Sequence, residues 1–251
     1  MSGHSKWSKI KRQKGADDAK RGQIFTKLTR EIIVAAREGG GNPEANFRLR
    51  LAIQKARDAN MPSENINRAI QKGTGSGEGA GQLTEITFEG YGPKGVAILV
   101  QAVTDNRNRT VQEVRSLFTR FGGSLGASGS VSWLFENKGV ITVDATGKEA
   151  EDLAMTAIEW GAEDVKIEKG YIEIYTKPKD LEVIRKAIEA KRPVSSAEVL
   201  MEPKNTVLLE GEEAAKVLNF LERLEELDDV QKVASNLDFS EATLEKLKAS
   251  A

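Results

Sequence analysis

Cysteine is absent from the 251-residue sequence, and histidine occurs once, as His4. Without a thiol, disulfides, thiolate nucleophiles, cysteine-ligated zinc and iron–sulfur clusters are excluded. A single histidine near one end gives a serine triad no positioned imidazole. Aromatic residues are few, at 6%. Long apolar runs are also missing. The longest, Ile32 to Ala36 and Val96 to Val100, fall far short of the ~18 residues that a membrane-spanning helix needs. No charged-then-apolar leader with a small-residue cleavage site opens the sequence, so a cytoplasmic location and no membrane partner are expected.

What is present is charge, unevenly placed. The formal net charge is −1. Residues 1–73 hold 16 Lys and Arg against 7 Asp and Glu, a net of +9, which leaves −10 for the rest. A chain divided in this way presents a basic end to something anionic. The basic density peaks in residues 1–15, MSGHSKWSKIKRQKG, which carry Lys6, Lys9, Lys11, Arg12 and Lys14, no acid, and neither a helical nor a strand period. This reads as a loosely ordered arm.

Three helices are expected next. The first spans about Asp17 to Arg37, with Ile24, Leu28, Ile32 and Ala36 as an apolar stripe. The second starts at Asn42-Pro43 and buries Leu49, Ala52, Ile53 and Ala56. The third starts near Pro62-Ser63, buries Ile66, Ala69 and Ile70, and ends near Gly73. The glycine-rich stretch 74–82 reads as a connector. Strands at Glu85–Glu89 and Val96–Thr104 are followed by a helix from Arg109 or Thr110, with Val111, Val114, Leu117, Phe118 and Phe121 on its apolar face. Residues 139–203 then read as a complete βαββαβ unit, the ferredoxin-like order. A last acidic helix, Gly211 to Leu227, and a strand, Val230 to Ala234, can complete the sheet begun at Glu85. The expected class is therefore α+β. The expected domains are a basic arm with a three-helix bundle (1–73), the connector (74–82), a discontinuous α/β domain (83–130 and 204–251) and an inserted domain (131–203). Both α/β domains are expected to be ferredoxin-like.

The search for catalysis is mostly negative. Gly122-Gly123-Ser124-Leu125-Gly126 matches the Gly-x-Ser-x-Gly elbow, but it follows a helix and no histidine lies downstream, so a glycine-rich turn is the better account. Gly90 to Gly95 has half of a phosphate-loop spacing, with Val96 where the lysine should stand. No tight carboxylate or His/Glu cluster argues for a metal. No cofactor, no metal, no catalytic residue and no obligate small-molecule ligand are expected.

Nucleic acid is the expected partner. Basic side chains displace counterions from phosphates, and an indole can stack on a base, which assigns the contact to His4, Lys6, Trp7, Lys9, Lys11, Arg12 and Lys14. Lys20, Arg21, Lys27 and Arg30 extend the positive stripe along the first helix. Arg107 and Arg109, at the start of a helix after a strand, form a second candidate. A third lies at Lys169-Gly170-Tyr171, half of an RNA-recognition signature. There Glu173 occupies the place of a second stacking aromatic, so a half-buried hairpin is the better reading.

Several of these segments carry a resemblance: Gly3-His4-Ser5-Lys6-Trp7, Asp18-Ala19-Lys20-Arg21-Gly22, Ile24-Phe25-Thr26-Lys27, Glu89-Gly90-Tyr91-Gly92-Pro93, Thr104 to Thr110 and Phe121 to Gly126. The chain resembles, over nearly its whole length, the YebC/PmpR family, which includes the mitochondrial translational activator of cytochrome oxidase. The resemblance implies three domains, with two α/β domains around a cleft, and a cytoplasmic protein without enzymatic activity. It implies a probable DNA-binding transcriptional regulator, while relatives are also described as translation factors acting on the ribosome. The expected partner is thus promoter DNA or ribosomal RNA, with the ribosome as a candidate. A protein adaptor using the acidic α/β domains is a further alternative.

Overall fold

The computed structural model describes residues 18–75 and 83–250. The chain forms two compact units, residues 1–134 with 205–251 and residues 135–204.

The first unit opens with helices α1 (Asp18–Gly39), α2 (Phe47–Asp58) and α3 (Ser63–Gly73). Ile32, Ile33, Ala35 and Ala36 of α1 pack with Leu49, Ala52, Ile53, Ala56, Ile66 and Ala69. Ile24 leaves the expected stripe and is 39% exposed. A four-residue step overshoots one turn by ~40°, so Ile24 is turned ~80° from Ile32. The start of α2 also differs from expectation. Asn42-Pro43 lies in a turn, and Asn46 is the cap. Its side chain accepts from Leu49 N (3.0 Å) and donates to Ala35 O (2.7 Å) and Gly40 O (2.8 Å). One buried amide therefore both starts α2 and closes the end of α1, which Asn42 is too far along the turn to do. α3 crosses α1 closely at Gly73, where a Cβ would meet Ile33 O at 2.5 Å.

The same unit contains a four-stranded antiparallel sheet. Its strands are β1 (Thr84–Tyr91), β2 (Ala97–Thr104), β3 (Ser124–Leu125) and β9 (Val230–Ser235), in the order β3-β1-β2-β9. The chain returns from residue 205 to complete it, so β9 pairs along β2. Helices α4 (Arg107–Arg120) and α7 (Gly211–Glu225) contribute Val114, Phe118, Val217, Phe220 and Leu221 to a core with Ile86, Phe88, Ile98 and Val100. Phe220 meets Phe118 edge-on and Phe121 stacked, each at 5.0 Å between ring centres. α4 begins at Arg107, two residues before expectation, because Asn106 caps it and accepts from Arg109 N (3.2 Å). The α+β class holds. The ferredoxin-like order does not extend to this sheet, where the β1–β2 hairpin sits in the middle.

The second unit has that order. β4 (Phe135–Asp144), α5 (Gly147–Glu159), β5 (Asp164–Glu168), β6 (Tyr171–Thr176), α6 (Leu181–Glu189) and β7 (Ser196–Pro203) form an antiparallel sheet β5-β6-β4-β7 with two helices. The hairpin strand β6 is more enclosed than expected. Glu173 is 0% exposed, and Tyr175, also buried, donates from its hydroxyl to the Glu173 carboxylate at 2.7 Å. Burial, and after it the nearby Glu173 charge, raises the pKa of both Tyr171 and Tyr175. Tyr175 is therefore sequestered from base stacking. In the first unit, β8 (Val207–Leu208) and β10 (Leu237–Asp238) make a short parallel pair, and α8 (Glu241–Ser250) closes the chain.

Candidate nucleic-acid interface

His4, Lys6, Trp7, Lys9, Lys11, Arg12 and Lys14 lie outside the described residues, as does the side chain of Lys20. The other candidates can be placed. Arg21 is exposed near the start of α1. Lys27 and Arg30, one turn apart on α1, point into the same unit. Lys27 Nζ donates to Glu225 O, and Arg30 donates to Asp228 O at 2.5 Å and pairs with Asp229 at 2.8 Å. Arg109, from the start of α4, reaches the same carboxylate at 2.8 Å and also Asp105 at 3.0 Å.

Asp229 is the centre of this cluster. It is 2% exposed. Besides the two arginines it accepts from Thr104 Oγ1 (2.9 Å) and Thr110 Oγ1 (2.7 Å). Burial would raise its pKa. Hydrogen bonds from Arg109, Thr110 and Thr104 and the charge of Arg30 outweigh that, and the pKa lies below the ordinary value. A buried carboxylate is tolerated when it is paired and hydrogen-bonded in this way. Lys27 shows the opposite balance: burial lowers its pKa against the raising influence of Glu225 and Asp228.

The cluster fastens the helical layer to the end of the sheet and α4. A second fastening lies at the other end of α1. Arg37 donates to Leu83 O at 2.7 Å, and Arg48 pairs with Glu38 and with Glu85 at the start of β1. Thus Lys27, Arg30 and Arg109, expected as contacts for phosphate, hold internal partners. Sequence reasoning could not see this because Asp229 lies 120 residues from Arg109 and about 200 from Arg30. Arg107 differs from Arg109. It is exposed and, among the described residues, has no ion-pair partner.

Sequence reasoning also missed an arrangement around β3. Ser124 and Leu125 are a strand rather than a turn, pairing with Tyr91 and Gly90. Gly90 is required there, since a Cβ would meet Ser124 O at 2.5 Å. The following loop is held by Glu89. Its carboxylate accepts from the backbone N–H groups of Gly129 (2.8 Å), Val131 (2.9 Å) and Ser132 (2.8 Å). Burial would raise the Glu89 pKa, but these three bonds outweigh it and the pKa is lowered. Tyr91 and Trp133 both donate to Ser130 O at 3.2 Å, while remaining 37% and 62% exposed. Between β1 and α4 lies a groove of about 380 Å³, whose wall includes Arg115, Thr119, Ser124 and Ser128. No group of three or more potential metal ligands occurs among the described residues, and none of their helices is long and apolar enough to cross a membrane.

Known proteins resemble the chain along its whole length. A probable transcriptional regulatory protein of Dehalococcoides mccartyi is 58% identical over 252 residues, covering 100% of both chains. One of Thermotoga maritima is 52% identical, with 98% of each chain covered. The crystal structure of a conserved hypothetical protein from Aquifex aeolicus superposes with a TM-score of 0.80 at 52% identity, over 89% of this chain and 93% of that one. Residues 5–76 match the TACO1/YebC protein N-terminal domain and residues 83–237 the TACO1/YebC second and third domain. The chain belongs to the TACO1/YebC family.

Proposed function

We propose that this protein is a non-enzymatic, cytoplasmic regulator of gene expression that binds nucleic acid, acting as a DNA-binding transcriptional regulator of the YebC type. Its relatives from Dehalococcoides, Natranaerobius and Thermotoga carry the name probable transcriptional regulatory protein. The observation that carries the reading is the fate of the cations. The excess of +9 in residues 1–73 is partly consumed: Lys27, Arg30, Arg37 and Arg48 bind the rest of their own unit. Five Lys and Arg lie within residues 6–14, a charge density suited to phosphates, with Trp7 among them to stack on a base. The working domains in this reading are 1–73, the connector 74–82, 83–130 with 204–251, and 131–203.

A second reading, a translation factor on ribosomal RNA, is favoured by one observation. Sequence-specific DNA binding needs an element that reads base edges. The short α3 is a poor recognition helix: its Arg68 pairs with Glu64 on the same helix. A basic segment with one aromatic suits structured RNA equally well.

Gradient sedimentation of DNase-treated lysate separates the two readings, using the intact protein and a variant with Lys6, Lys9, Lys11, Arg12 and Lys14 changed to alanine. For the transcriptional reading both stay at the top of the gradient, and the intact protein alone retards promoter DNA. Co-sedimentation of the intact protein with ribosomes, lost in the variant, decides for translation. Failure to bind either DNA or ribosomes sinks both readings.

A further inference from the structure

The sheet of the second unit has a bare edge. Its order is β5-β6-β4-β7, so β5 is an end strand, and among the described residues no strand pairs with its outer side. Such an edge presents a row of backbone N–H and C=O groups that templates a further strand.

The side chains next to this edge are apolar on one face. A Cβ at Gly139 of β4 would meet the Leu181 side chain of α6, so Gly139 and, by alternation, Ile141 point toward the helices. Ile141 is the register partner of Ile174, while Val165 and Ile167 of β5 are the partners of Ile174 and Ile172. Val165 and Ile167 therefore lie on the helix face of the sheet, and Ile167 is 50% exposed there. Helix α5 adds to the same flank. It lies over β5 and β6, while α6 lies over β4 and β7. Glu149 of α5 pairs with Arg192, just beyond α6, and so marks the side of α5 that faces α6. Ile158 comes nine residues later, about two and a half turns, which places it on the opposite side, toward the β5 edge. It is 49% exposed, and Met155, less than a quarter-turn further round (~60°), is more exposed still.

The edge and its flank are complementary to themselves. On the face of β5 away from the helices stand Asp164 and Lys166, exposed charges of opposite sign. If a second β5 runs antiparallel with Val165 on the two-fold axis, residue 164 of each copy faces residue 166 of the other. Asp164 then meets Lys166 twice, and Val165 meets its own copy. Ile158 and Ile167 of both copies fall in the seam between the two α5 helices. A patch that serves both partners alike is what a two-fold dimer requires.

We propose that β5 and the adjoining flank of α5 form a self-association face, on which a second copy of this chain adds its own β5 and continues the sheet across the dimer. The proposal is independent of the nucleic-acid reading above.

The test is sedimentation equilibrium of the full-length protein over a concentration series. A contact of one short strand and a helix flank is a small interface, so a dimer with Kd on the order of 10 µM is expected. Ile167→Glu is expected to weaken it at least tenfold. Asp164→Lys and Lys166→Asp, each alone, set like charges against each other twice and are expected to weaken it about tenfold. The two exchanges together restore the opposite pairs, and with them the dimer, which a merely damaged strand would not do. Melting curves matching the intact protein confirm that each variant is folded. An intact protein that stays monomeric throughout the series overturns the proposal. So does a dimer that all three single variants leave unchanged, since its contact then lies elsewhere. Failure of the double exchange to restore a dimer lost in the single ones overturns the pairing of Asp164 with Lys166 on which the choice of a second copy rests.

Discussion

The cations of α1 and those of α4 look alike in sequence and have opposite fates. Lys27 and Arg30 of α1 end on Glu225 O, Asp228 O and Asp229, inside the unit that they belong to. Arg107 and Arg115 of α4 are exposed, Arg115 on the wall of a groove, and Arg109 between them joins the internal cluster. A basic stripe on a helix is therefore not yet a nucleic-acid surface. What decides is whether a carboxylate or a carbonyl end is waiting in the fold. Around Asp229 there are both; the carboxylate that lines the same groove as Arg115, Glu89, is held by three backbone N–H groups instead.

The sharpest way to break this contrast is to remove the acceptor. Asp229→Ala leaves Arg30, Arg109 and two threonines without their common partner. It is expected to cost about 3 kcal/mol in denaturant unfolding, the largest effect of any single change considered. Glu89→Gln, which trades an acceptor of three backbone bonds for a weaker one that brings its own donors, is expected to cost about 2 kcal/mol. It should also loosen the loop 126–132, read as faster amide exchange at Gly129, Val131 and Ser132. Arg48→Ala touches only half-exposed pairs with Glu38 and Glu85, so about 0.5 kcal/mol is expected. Lys27→Met is expected to be close to neutral, within about 0.5 kcal/mol, because the lost hydrogen bond is offset by relief of a desolvated charge.

Acid sharpens the same comparison. Asp229 and Glu89 both have folded-state pKa values below the ordinary carboxylate value. Their stabilisation is fully present above the unfolded-state pKa, about 4, and is lost as the pH falls from there through the lower folded values. Unfolding free energy measured from pH 6 downward should fall in that window. In Asp229→Asn the fall should be shallower.

Much of the fold was legible in the sequence, for identifiable reasons. The βαββαβ order of the second unit showed because each element carries its own period and its own turn, such as Lys169-Gly170 between β5 and β6. The return of α7 and β9 to the first sheet was inferable from a hairpin with too few companions. The order of that sheet was not, because pairing partners at long separation leave no local trace. Nor was the start of α2. Asn42-Pro43 and Asn46 are both plausible caps, and only the contact of Asn46 with Ala35 and Gly40 decides between them. For the site, charge density was readable and charge availability was not. Ion pairs such as Arg109–Asp229 depend on where the fold brings distant segments, and the groove at Arg115 depends on the two-residue strand β3, which leaves no periodic trace in the sequence.

The most direct test of the central claim, that residues 6–14 make the principal nucleic-acid contact while the folded cations of α1 hold the protein together, is the salt dependence of binding. Association with a single-stranded oligonucleotide would be followed across a salt series for the intact protein and for the variant with Lys6, Lys9, Lys11, Arg12 and Lys14 changed to alanine. The predicted result is a slope lower by about 3.5 in the variant, five phosphates at ~0.7 each, with an unchanged melting temperature. An unchanged slope and affinity would contradict the account and move the contact elsewhere on the protein.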